Sequence, residues 1–160
     1  MAAIKSQRVS GVNPQPAPIS NELISVRERI TLTAAQLLLN NVVEVAYLPA
    51  NCLPVNYKIR VDTLDSNAAK TITFDVGIIN SAENAVSVLP ADGNAKWVVG
   101  SVLAQAGGLV VADATAASYK IIGDVTALST NRVVGIAITA VPATGVGGVL
   151  DFEFIYKAVS

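Results

Sequence analysis

Residues 55–63, Val55-Asn56-Tyr57-Lys58-Ile59-Arg60-Val61-Asp62-Thr63, alternate between apolar and polar side chains without interruption. Successive side chains of a β-strand point to opposite faces. Val55, Tyr57, Ile59, Val61 and Thr63 therefore share one face, and Asn56, Lys58, Arg60 and Asp62 share the other, a strand with one wet side. The run Ala69–Ile79 repeats the pattern with Ile72, Phe74, Val76 and Ile78 on one face. Between the two, Asp65-Ser66-Asn67 reads as the turn of a hairpin. Near the C-terminus, Leu150, Phe152, Phe154 and Tyr156 alternate with Asp151 and Glu153.

Further strands are expected at 26–32, 42–48, 96–103, 108–112, 119–123 and 132–141. Asp92-Gly93-Asn94, Ala106-Gly107-Gly108 and Gly145-Val146-Gly147-Gly148 break the chain between them. A single helical turn is expected at Thr33–Leu39, with Thr33 as its cap. Strands joined by short turns, with no βαβ rhythm, specify an all-β protein: a single antiparallel β-sandwich, jelly-roll-like, over residues 23–160.

Residues 1–22 obey a different rule. Asn13-Pro14-Gln15-Pro16-Ala17-Pro18 places proline at every second position, which removes backbone donors and favours an extended path. This segment is expected to be a separate N-terminal arm, either a disordered tail or one that orders against a neighbour.

Of the 160 residues, 52% are hydrophobic but only 5% are aromatic and 14% charged. The charged share of a typical domain is about 25%, so part of the outer surface is expected to be covered by a partner. Eleven basic residues against twelve acidic leave no electropositive footprint for nucleic acid. Two stretches of low charge, Trp97–Ala112 and Val133–Leu150, are short or glycine- and proline-broken against the roughly 20 residues of a spanning helix. The N-terminus has no apolar signal core.

The chain contains no histidine, which removes Ser-His-Asp and Cys-His nucleophile arrangements and most transition-metal sites. Cys52, the one cysteine, has no cation beside it in sequence and reads as a packed free thiol. Asp151 and Glu153 lie about 6.5–7 Å apart along their strand. That is a glycosidase-like separation, but alternate acids on an amphipathic strand ordinarily form a solvated face. Asp62, Asp65 and Asn67 offer oxygens for calcium, yet the same residues are turn formers. The Gly145–Gly148 stretch has no lysine after it and is not a phosphate loop. Tyr47, Tyr57, Trp97 and Tyr119 are scattered and read as core or interface residues. The expectation is a non-enzymatic protein without cofactor, metal or small-molecule substrate.

Three segments carry a resemblance: ERITLTAAQLLLNNVVEVAYLPANCLPVNYKIRVDTLDS (28–66), AKTITFDVGIIN (69–80) and RVVGIAITAVPATGVGGVLDFEFIYKA (132–158). Their order resembles that of the small β-sandwich virion proteins of tailed bacteriophages, the minor capsid or head-decoration (cement) proteins, over about residues 28–158. Asn51-Cys52 departs from the small residues relatives carry after Leu-Pro-Ala. The resemblance implies a homotrimer that binds the major capsid protein on the outer surface of a phage head and bridges neighbouring subunits. Lys5, Arg8, Pro14, Pro16 and Pro18 of the arm are the expected partner-binding residues, by strand addition or by lying in a groove. Another virion role, as a head-fibre base, a tail or baseplate component, or a receptor-binding module, is the alternative.

Overall fold

The structure is a computed structural model that describes residues 3–19, 22–93, 96–111, 122 and 124–159. The strands are β1 (Ile4–Lys5), β2 (Leu23–Leu32), β3 (Val42–Leu48), β4 (Cys52–Val61), β5 (Thr73–Ile78), β6 (Val98–Ser101), β7 (Gly108–Val111), β8 (Arg132–Ala140) and β9 (Gly148–Ala158). A 3-10 turn (Ala34–Gln36) and a short helix, α1 (Leu103–Ala106), interrupt them. The strands form two sheets, a five-stranded one in the order β1-β3-β8-β5-β6 and a four-stranded one in the order β2-β9-β4-β7. Neighbours are antiparallel except β1, which runs parallel to β3. The all-β sandwich expected from the alternation is what the chain builds. No helix among the described residues is long and apolar enough to cross a membrane.

The apolar faces read from sequence meet in the middle. Tyr57, Ile59 and Val61 of β4 and Leu150, Phe152, Phe154 and Tyr156 of β9 pack against Phe74, Val76 and Ile78 of β5 and Val134, Ile136 and Ile138 of β8. Aromatic residues distant in sequence stack there. Tyr57 lies 5.5 Å from Trp97 and 6.1 Å from Phe152, and Phe154 lies 6.0 Å from Trp97 and 5.5 Å from Tyr156. Offset stacks at this spacing add to area burial. The sequence reading of Tyr57 and Trp97 as core residues holds.

One expectation is overturned. β4 and β5 are not a hairpin: β4 pairs with β9 and β7, whereas β5 pairs with β8 and β6 in the other sheet. Residues 62–72 cross between the sheets, and Asp65 fixes the corner. Its buried carboxylate accepts backbone N–H bonds from Asn67, Thr71 and Ile72 on its own connection and from Ala143 and Thr144 on the β8–β9 turn. A turn former in sequence is here a staple between two connections.

Other differences are local. The strand expected at 96–103 is shortened to Val98–Ser101, because the chain turns into α1 and leaves it through Gly107 at φ +73°. The expected turn at Thr33 is a single 3-10 turn, where the Thr33 N–H donates to the Gln36 side chain at 2.8 Å. The strand expected at 119–123 lies outside the described residues except Ile122. β3 carries a bulge between Glu44 and Ala46 opposite Gly135. A Cβ at Gly135 would sit 2.2 Å from the Val43 carbonyl oxygen, so this close approach requires glycine.

The two outer faces differ. Ile79 and Val86, from the connection after β5, close a small apolar cluster over the five-stranded sheet with Val42 and Ala137. Arg132 ties the same connection down, donating to the Ala91 carbonyl at 2.9 Å and to the Asp92 carboxylate at 3.0 Å. The outer face of the four-stranded sheet carries charged side chains from β2, β9 and β4.

Candidate functional site

The arm lies along the open side of the sandwich, between the β3 edge of one sheet and strands β2 and β9 of the other. β1 adds in parallel to β3, with Ile4 opposite Val43 and Lys5 opposite Glu44. The Ser6 N–H donates to the Glu44 carbonyl at 2.9 Å, and its hydroxyl to the Val45 carbonyl at 2.6 Å. Val9 is buried, and its carbonyl accepts the Tyr47 hydroxyl at 3.1 Å.

The proline run then presents Gln15 inward, between exposed Pro14 and Pro16. The Gln15 side-chain oxygen accepts the Tyr47 backbone N–H at 2.7 Å, and its amide N–H donates to the Tyr47 carbonyl. One side chain thus makes both hydrogen bonds that a paired strand residue would make. The Tyr156 hydroxyl donates to the Pro16 carbonyl, joining the arm to β9.

Of the arm residues expected to bind a partner, Pro14 and Pro16 are exposed and Pro18 is half-buried. Lys5 and Arg8 are held in ion pairs within the chain. Lys5 lies 3.5 Å from Glu44 and 3.7 Å from Glu83, and these two carboxylates raise its pKa. Arg8 reaches Glu28 at 2.6 Å.

The other grouping is on the four-stranded sheet. Register places Arg27 and Lys58 on either side of Glu153, and Arg29 and Arg60 on either side of Asp151. Arg29 holds Asp151 through two hydrogen bonds of 2.8 and 3.1 Å. Ser25 donates to Glu153 at 2.9 Å, and Lys58 lies 3.3 Å from it. The Arg29 hydrogen bond holds the Asp151 carboxyl below its usual range, and the Ser25 hydrogen bond does the same for Glu153. General acid–base work by two carboxylates needs one of them pushed up. Both are pushed down, so this pair belongs to a cross-strand charge ladder.

The remaining candidates resolve as structural. Asp65 spends its oxygens on backbone N–H groups at the corner. Asp62 accepts the Val149 N–H at 2.9 Å. The Cys52 thiol is buried, which pushes its pKa up, and it donates to the Ala50 carbonyl at 3.4 Å. Sequence reading missed Gln15 and Glu44. Alternating charge in β2, β4 and β9 was the visible signal for the ladder, but only the register shows which charges face one another.

No protein-family model matches the sequence, and no curated protein matches it. Solved structures do. A chain from the capsid of Ralstonia phage GP4 is 31% identical, with 99% of each chain covered and a TM-score of 0.78. A chain from the capsid asymmetric unit of cyanophage Pam1 shares the fold at 18% identity, with 92% of each chain covered and a TM-score of 0.58. The likeness to the first runs through arm and sandwich alike, and on that footing the chain belongs to the same bacteriophage capsid-protein family as this component of the Ralstonia phage GP4 capsid.

Proposed function

We propose that the protein is a decoration (cement) protein, a homotrimer that sits on the outside of a phage head and ties neighbouring major-capsid subunits together. The observation that carries this reading is the end-to-end likeness to a component of a phage capsid. The physical features agree with it. The sandwich is braced by its own arm on one side and by the 79–92 connection over one face, and its other face is a ladder of charge. Such a module acts through area and geometry. Each copy contributes modest contacts, and many copies on one lattice, each bridging several subunits, make them collectively strong.

Light scattering on the purified chain, with and without residues 1–22, tests the oligomer, and addition to heads that lack the protein tests attachment. The expected result is a trimer that binds heads in fixed stoichiometry and raises the temperature at which they rupture. A monomer in both forms that leaves heads unlabelled rejects the proposal.

A further inference from the structure

The outward face of the four-stranded sheet concentrates positive charge that the near-neutral chain, at net −1, lacks overall. A shallow depression of about 650 Å³ lies there, and Arg27, Arg29, Lys58 and Arg60 line it around Asp151 and Glu153. Arg29 and Lys58 are taken up by the two carboxylates. Among the described residues, Arg27 and Arg60 have no carboxylate within ion-pair distance, and both are exposed. They stand diagonally across the ladder, one on β2 and one on β4, each beside a carboxylate already held by another cation. Leu23 and Leu109, both 62% exposed, flank the face on β2 and β7.

We infer that this face docks onto an acidic protein surface, which on the reading above is a carboxylate-bearing patch of the capsid shell, with Arg27 and Arg60 receiving its carboxylates. Charge complementarity chooses the occupant. A phosphate backbone would run a continuous line of negative charge over Asp151 and Glu153, which are fixed at the centre of the face. A protein surface can set its carboxylates opposite Arg27 and Arg60 and leave neutral or donor groups opposite the two acids. The leucines at the flanks suit apolar contacts that a protein offers and a polyanion does not. Size agrees as well: strands of 10, 11, 10 and 4 residues in β2, β9, β4 and β7 present about 550 Å². A standard interface buries about 800 Å² per partner, so one copy binds weakly and avidity supplies the rest.

The test uses the full chain, the variant R27Q/R60Q, and K70E, which changes net charge by the same amount at an exposed site on the 62–72 connection, off this face. Fluorescence anisotropy with labelled poly-L-glutamate, poly-L-lysine and duplex DNA reads the face directly. Decoration of heads that lack the protein reads its use. Polyglutamate is expected to bind in preference to the other two, to lose about tenfold in affinity in R27Q/R60Q, and to be unaffected by K70E. Equal loss in K70E, or tighter binding of DNA than of polyglutamate, overturns the inference. So does undiminished head binding by R27Q/R60Q, and in that case the decoration reading survives without it. If the wild-type chain binds no heads, the decoration reading fails and the polyglutamate result alone decides the face.

Discussion

Asp65 and Glu44 are both fully buried carboxylates, and the protein treats them in opposite ways. Burial alone would push the Asp65 carboxyl up, but hydrogen bonds from the Thr71, Thr144, Ala143 and Asn67 N–H groups outweigh it and hold the carboxyl well below its usual range. At Glu44 no backbone N–H comes to either oxygen, and burial, reinforced by the neighbouring Glu83 carboxylate, pushes its carboxyl up against the pull of Lys5 at 3.5 Å. A buried charge is stable when donors surround it and strained when one half-exposed cation is its chief partner. The first arrangement is a corner the fold depends on. The second is a tension placed beneath the first strand of the arm.

The largest effect expected is at the corner. Asp65→Ala leaves several backbone donors buried without an acceptor, one of the few mechanisms that costs a domain most of its margin. Calorimetry should show Tm falling by about 10 °C or more, with Asp65→Asn in between. A fall no larger than that of a surface substitution would break the contrast. Removing residues 1–18 should come next. The sandwich stays folded, because the main core lies between the two sheets, but Tm falls by about 5 °C as Val9 and the Ser6 and Gln15 hydrogen bonds are lost. Loss of the cooperative transition would show instead that the arm is integral to the fold.

The pH profile separates the two carboxylates by sign. Asp65 has a folded pKa below its unfolded one, so its stabilisation is complete above about pH 4 and is lost as pH falls from there. The acid limb of Tm against pH should flatten in Asp65→Asn. Glu44 has a folded pKa above its unfolded one, so its contribution is complete below about pH 4 and is lost as pH rises through the folded value. Glu44→Gln should therefore be neutral in acid and raise Tm by about 2 °C at pH 8, the smallest effect of the set. A lower Tm for Glu44→Gln at pH 8 would mean that the ion pair with Lys5 outweighs the cost of burial.

The alternation in residues 55–63 and 150–156 made the strands and their inner faces legible, because period-two patterning is written locally. What stayed hidden lay between segments. Asp65 looks like a hairpin residue until Ala143 and Thr144 are seen beside it, 78 and 79 positions along the chain. Trp97 stands alone in sequence and completes a stack with Tyr57 and Phe154 in space. The prolines of the arm announce an extended path, but nothing in them says that Gln15 falls against the Tyr47 amide. Lys58 and Arg60 read as a wet face, and only pairing with β9 and β2 turns them into a ladder.

The Gln15 clamp bears on how this protein behaves when crowded. A strand at the margin of a sheet templates the next strand, and chains with such margins grow into fibres. Along β3, β1 and then a single side-chain amide terminate the hydrogen-bond ladder. The proline on either side of Gln15 has no N–H to offer an incoming strand. The arm is therefore a stopper: on that side it denies a neighbouring copy the backbone pairing that would extend the sheet from one chain to the next.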